Sequence, residues 1–261
     1  LAPILMARFG FIVAGVLGAL MAVLILRFRR KIDTAKANEE FRRAFTANVT
    51  HELRTPLTSI LGAAEMLNDG SALTSDERDE LVGIIRDQST RLDVLSKDIL
   101  ALARLEGAEA AREMNRETVS CRQLGERVHA LVRLKAKMLG VTVALEVEDL
   151  SVCGDRKLLE EALLNLVENA LRYSGSEKIV LRIASEGNRV VFSVIDYGIG
   201  IAAEHLPRLF ERFYRVDKAR SRSLGGTGLG LAIVKHIVQL HQGEVFVSSR
   251  PGDQTVFGFK L

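Results

Sequence analysis

His51-Glu52-Leu53-Arg54-Thr55-Pro56-Leu57 sets a histidine and a proline inside a long apolar repeat, and the reading of that segment decides the architecture. Around it Phe41, Phe45, Val49, Leu53, Leu57, Ile60, Ala64 and Leu67 recur in steps of three and four, one face of a helix. The stripe passes through Val49 and Leu53, so His51 is predicted to point away from it, sharing a polar face with Asn48, Thr55 and Ser59. The helix is predicted from Ile32 to Leu67, ending at Asp69-Gly70-Ser71. Ser75 is read as the N-cap of a second helix, with Asp76 and Glu77 in its first turn and Leu81, Ile85, Leu92, Leu95, Ile99 and Leu102 on its apolar face. Two such helices bury too little surface alone. Two copies of the hairpin would share one core, so a homodimer with an all-α four-helix bundle is expected.

Pro56 removes a backbone donor and crowds the carbonyl of Glu52, at a cost of roughly 3 kcal/mol inside a helix. Such a cost beside an exposed imidazole implies a wanted kink. A histidine neutral near pH 7 can act as a nucleophile, and the neighbouring Glu52 can accept its proton.

Composition narrows the class. The 261 residues carry a net charge of +3, with 48% hydrophobic residues and no tryptophan. That excludes disorder and argues against direct nucleic-acid binding, which needs a concentrated basic patch. The two cysteines, Cys121 and Cys153, form no CxxC and are read as reduced thiols rather than a disulfide or zinc site. Phe9–Leu26 is uncharged and apolar, about long enough to span a bilayer, with Arg27, Arg29, Arg30 and Lys31 directly after it. The heavier basic flank follows the span, which places the remainder in the cytoplasm. A signal peptide would put its basic residues first and end on small ones. Leu1 in place of an initiator Met leaves room for preceding sequence.

Beyond a polar, Ala-rich linker from Glu106 to Glu117, short alternating elements begin. Helices are predicted at Cys121–Leu139, Asp155–Tyr173 and about Leu229–Leu240, and strands at Val141–Val147, Ile179–Ala184, Val190–Asp196, Val245–Ser248 and Thr255–Lys260. The pattern describes an α/β sandwich, one sheet with helices on one face.

Three clusters in this part carry chemistry. In Asn165-Leu166-Val167-Glu168-Asn169-Ala170-Leu171-Arg172-Tyr173 the two asparagines stand four apart, on one helical face, and their amide oxygens suit a Mg²⁺ shared with phosphates. Asp196-Tyr197-Gly198-Ile199-Gly200 follows a strand directly, so a carboxylate at its end can accept a base amino hydrogen while the glycines allow close backbone approach. Gly225-Gly226-Thr227-Gly228-Leu229-Gly230-Leu231 opens a helix, where amides favour phosphate oxygens. No Lys-Ser/Thr follows the glycines and no strand precedes them, which excludes Walker and Rossmann loops. Between the last two lies Leu209-Phe210-Glu211-Arg212-Phe213-Tyr214-Arg215-Val216-Asp217, then the polar run Lys218 to Leu224.

Taken in order, these four motifs resemble the sensor histidine kinases over nearly all of the chain from Phe41 onward. The resemblance implies that His51 is the phosphoacceptor, that Glu52 is its acid/base partner, and that Thr55 positions water when a phosphorylated partner is dephosphorylated. It implies ATP and Mg²⁺ as cofactors, with Asn169 on the metal. Asn165, Arg172 and Tyr173 become further nucleotide contacts. Asp196, Gly198 and Gly200 read the adenine. Gly226, Thr227, Gly228, Leu229 and Gly230 face the phosphates. Residues 209–224 resemble the family's lid, anchored by Phe210 and Phe213, with Arg215 as a phosphate contact; Tyr197 stands where a small polar residue is usual.

The expected organisation is therefore multidomain: a transmembrane helix at 1–26, a juxtamembrane signalling helix at 27–44, a dimerisation and phosphotransfer domain at 45–108, and a catalytic domain of the Bergerat ATP-binding fold at 109–261. The implied activity is autophosphorylation on His51 and transfer to an aspartate of a response regulator receiver domain, with phosphatase activity toward it, at the bacterial inner membrane with the catalytic part cytoplasmic. Another ATPase of the same fold would lack the histidine motif, and a non-catalytic scaffold would carry a broken site.

Overall fold

The computed structural model describes residues 45–69, 73–107, 109–217 and 225–261. The expected transmembrane helix, the juxtamembrane helix and the run Lys218–Leu224 lie outside them. Among the described residues no helix is long and apolar enough to cross a membrane. Contacts divide the chain between Thr55 and Pro56.

The first helix, α1, is described over residues 45–68, with Pro56 inside it. Thr50 and Thr55 turn their hydroxyls back onto the helix, donating to the carbonyls of Thr46 at 2.9 Å and His51 at 3.3 Å. The second, α2 (Ser75–Glu106), is capped by Thr74 rather than by Ser75. Thr74 Oγ1 accepts from the Glu77 N–H while Glu77 bonds back to the Thr74 N–H at 2.8 Å. Only the residue three before Glu77 can close that reciprocal pair, which is why the cap falls one position earlier than predicted. Leu81, Leu95, Leu102 and Leu105 of α2 are buried.

A four-residue helix, α3 (Ala110–Glu113), lies within the predicted linker. It is followed by β1 (Glu117–Ser120), α4 (Cys121–Met138), β2 (Thr142–Val147), β3 (Ser151–Gly154) and α5 (Arg156–Tyr173). Next come β4 (Lys178–Glu186), β5 (Arg189–Asp196), a 3₁₀ turn at Leu206–Arg208, α6 (Gly230–Leu240), β6 (Glu244–Ser249) and β7 (Thr255–Lys260). The main sheet has five strands in the order β2-β4-β5-β7-β6, with β2 and β4 parallel and the other neighbours antiparallel. β1 and β3 form a separate ribbon that the sequence reading missed.

Local chemistry accounts for the joints. Gly187, at φ 61°, takes the first position of the two-residue turn between the paired Glu186 and Arg189, where a hairpin needs positive φ. Asp155 starts α5 by accepting from the Lys157 and Leu158 N–H groups at 2.9 and 3.2 Å. Phe192 stacks on its cross-strand partner Phe259 with ring centroids 4.6 Å apart. Gly125 lets α4 lie close on the same face: a Cβ there would meet Val147 at 2.9 Å and Leu145 at 3.2 Å. Burial pushes the Cys121 thiol up to about 11, so it acts as core, and Cys153 is a free thiol on the exposed side.

Candidate active site

α5, the β5 end and the loop before α6 meet around a cavity of about 350 Å³. α5 contributes Asn165, Glu168, Asn169, Arg172 and Tyr173; the β5 end contributes Asp196, Ile199, Gly200 and Ile201; the glycine loop contributes Gly226, Thr227, Gly228 and Gly230. Tyr214, Arg215, Val216 and Asp217 line it from the predicted lid side. Most of the residues singled out from sequence are thus brought to one place. Gly198 and Leu229 are not among the lining residues; Leu229 is fully buried behind the loop, where its N–H donates to Thr227 Oγ1 at 3.2 Å.

The glycines of the β5 loop are demanded by the chain itself. A Cβ on Gly198 would lie 2.0 Å from the Ser174 carbonyl oxygen, and one on Gly200, at φ 70°, 2.1 Å from that of Arg250. Gly198 also sends its N–H to Asp196 Oδ1 at 3.1 Å. Asp196 is 3% exposed. Burial raises its carboxyl above the ordinary value and the Gly198 bond opposes the rise.

Around the glycine loop the contacts are dense. Arg172 Nη1 donates to the Gly225 carbonyl at 3.0 Å, and Arg215 Nη2 to the Thr227 carbonyl at 2.8 Å. Asn165 donates from its amide nitrogen to the Glu161 carbonyl at 2.9 Å and turns its oxygen toward Gly230, where a Cβ would come within 2.8 Å. Phe213 holds φ 61° and donates its N–H to the Gly228 carbonyl at 2.8 Å, tying the lid base to the loop. Phe210 meets Phe257 edge-on at 6.3 Å. Among the described residues no side chain caps the N-terminus of α6, so this loop and helix end suit an anionic group.

Sequence reasoning missed one wall. Val94 and Asp98 of α2 line the cavity, and Thr227 Oγ1 donates to Asp98 Oδ2 at 2.5 Å. Burial raises the Asp98 carboxyl, against the pull of the Thr227 bond and the Arg172 charge. At the end of α2, Glu106 pairs with Arg212, whose side chain is only 12% exposed, and lies 3.2 Å from His236 Nε2. Burial, then Arg212, lowers the His236 pKa. Neither carboxylate breaks the apolar pattern of α2, so only the fold reveals them.

His51 is exposed on α1, Glu52 and Thr55 are half-buried, and Pro56 is buried. These three sequence-predicted residues stand together on that helix, outside the set that lines the cavity.

Residues 154–261 match the model of the histidine kinase-, DNA gyrase B- and HSP90-like ATPases, and residues 41–108 match that of the His Kinase A phospho-acceptor domain. An ATPase module of this type joined to a phospho-acceptor helix defines a class of signalling proteins. The chain belongs to the sensor histidine kinases. It is 35% identical to the sensor protein SrrB of Staphylococcus aureus over 226 residues, 85% of this chain and 38% of that relative's length. It is similar to the full-length histidine kinase ShkA in complex with AMPPNP, at 32% identity and a TM-score of 0.61 over 82% of this chain and 44% of that one. A third likeness is to the histidine kinase ThkA in complex with the response regulator TrrA: 26% identity and a TM-score of 0.68, over 84% of this chain and 60% of that one.

Proposed function

We propose that the chain catalyses ATP-dependent phosphorylation of its own His51 and passes the phosphoryl group to an aspartate on the receiver domain of a response regulator. The observation that carries this reading is the pairing, in one chain, of an exposed histidine within the phospho-acceptor match with a cavity lined by Asn165, Asn169, Asp196 and the glycine loop. ShkA's complex with AMPPNP supports a nucleotide in that cavity, and ThkA's complex with TrrA supports a receiver as partner.

The residues fit the roles. Asp196, desolvated at the cavity wall, accepts the adenine amino hydrogen. The start of α6 and the amides of Gly226, Thr227, Gly228 and Gly230 receive phosphates. Asn169 would hold Mg²⁺, which neutralises phosphate charge when bound. A neutral His51 ring nitrogen attacks the γ-phosphorus in line, the bond to the β-phosphate oxygen breaks, ADP leaves, and Glu52 takes the imidazole proton. Thr55 is assigned the water-positioning role in the separate phosphatase reaction, in which water attacks the receiver's acyl phosphate and inorganic phosphate leaves. The chain acts as a homodimer: Leu57, Leu61, Met66, Val82 and Leu100 of the two helices are each at least half exposed, more apolar surface than a solvated helix pair leaves open. Membrane anchoring by Phe9–Leu26, at the bacterial inner membrane with the catalytic part in the cytoplasm, completes the proposal.

Phosphotransfer tests it. Chain labelled from γ-labelled ATP is freed of nucleotide and mixed with a purified receiver domain and Mg²⁺. Label should leave the chain and arrive on the receiver as a base-labile acyl phosphate. Label that stays on the chain with every receiver offered would reject the transfer step.

A further inference from the structure

The wall that α2 supplies brings a carboxylate onto the glycine loop itself, whereas the cavity's other acidic side chains, Glu168, Asp196 and Asp217, come from α5, the β5 end and the lid side. Asn165, Asn169, Arg172 and Arg215 are neutral or cationic, and Glu168 is compensated by Lys135 at 3.1 Å and Arg172 at 3.9 Å. Asp98 instead meets the hydroxyl of Thr227 at 2.5 Å, in the middle of the glycine loop. Thr227 is 8% exposed, its hydroxyl accepts from the Leu229 N–H at 3.2 Å, and its carbonyl accepts from Arg215 at 2.8 Å. The residue that would face phosphates is thus already bonded to a carboxylate from another part of the chain. The contact is not isolated: α2 packs along α6, and Glu106 pairs with Arg212 about 12 Å further down the helix.

We propose that Asp98 is a charge-based latch, competing with the nucleotide's phosphates for the glycine loop and so coupling ATP binding to release of α2. The inference rests on the ATP reading of the cavity. An ionised carboxylate at Thr227 repels phosphate oxygens at short range in a partly dry pocket, where like charges are poorly screened. Coupling is reciprocal: whatever draws α2 away from the loop raises ATP affinity, and ATP loosens α2 by the same factor. The phosphoacceptor-side helix would then set the catalytic domain's affinity for its substrate through one hydrogen bond. A side chain that merely supported the fold would affect every ligand of the cavity alike, whereas a charge competitor discriminates by phosphate number.

The test is displacement of a fluorescent ATP analogue from the 261-residue chain, and from its D98N and D98A variants, by ATP, ADP and adenosine. D98N keeps the shape and an acceptor for Thr227 without the charge; D98A removes both, and adenosine affinity reports whether each variant keeps an intact cavity. Both variants should bind ATP about tenfold more tightly than wild type, ADP less so, and adenosine equally. Unchanged or weakened ATP affinity in both variants, or an equal change for all three ligands, would overturn the latch and leave the ATP reading standing. Failure of the wild type to bind ATP at all would overturn both.

Discussion

Asp196 shows how much one buried carboxylate is asked to do. It sits at the last position of β5, opposite Thr255 in the ladder, bonded to the Gly198 N–H. Its side chain lines the cavity. Asp196→Asn keeps the shape and replaces part of its acceptor capacity with a donor, which meets the adenine amino group badly. ATP affinity should fall at least tenfold, about 1.4 kcal/mol, with the unfolding midpoint little changed, as isothermal titration and thermal melts would show. The motif that flags this residue was legible because chain order alone places Asp196 at a strand end. What its glycines do was not. Gly198 and Gly200 stand against the backbones of Ser174 and Arg250, which come from other elements. Asp98 was illegible for a related reason: on α2 it looks like any solvated acid, and only the packing of α2 on α6 carries it to Thr227.

Elements were readable where their own residues decide them. The long helices, α4 and α5 follow from apolar periodicity, and the β4–β5 hairpin from Gly187-Asn188. The β1–β3 ribbon was missed because each strand is four residues long and its partner lies far along the chain, so no local period announces it. One joint between elements predicts a pH response. His241, just past α6, has Nε2 accepting from the Asp155 N–H at 2.9 Å and Nδ1 bonded to the Ile237 carbonyl at 2.8 Å, which requires the neutral ring. Burial is the main cause that lowers its pKa below 6.5. The unfolded state therefore binds the proton more readily. The contribution is complete above pH 6.5 and is lost as pH falls through the lowered folded-state value. His236 acts in the same sense, while Asp98, Glu106, Glu161 and Asp196, raised by burial, act in the opposite one. A variant is therefore needed to isolate His241. His241→Asn should cost about 1–3 kcal/mol at pH 7 and show a shallower fall in melting temperature between about pH 7 and 5 than wild type.

At the scale of the molecule, the helical region leaves Leu57, Leu61, Met66 and Leu100 at least half exposed, while the α/β domain buries Leu159, Leu163, Ile183 and Phe192 and leaves Leu134 and Met138 of α4 open. Under the proposed function the first pairs with a second copy and the cavity of the second takes ATP. The change from long helices to short alternating elements near residue 117 was legible, whereas the participation of α2 in the cavity was not. The account's central claim is that His51 receives the γ-phosphate of ATP. Incubation of the chain and of His51→Gln with γ-labelled ATP and Mg²⁺ tests it most directly. The account predicts protein-bound label that is lost in acid, kept in base and absent from the variant; acid-stable label, or equal label on the variant, would contradict it.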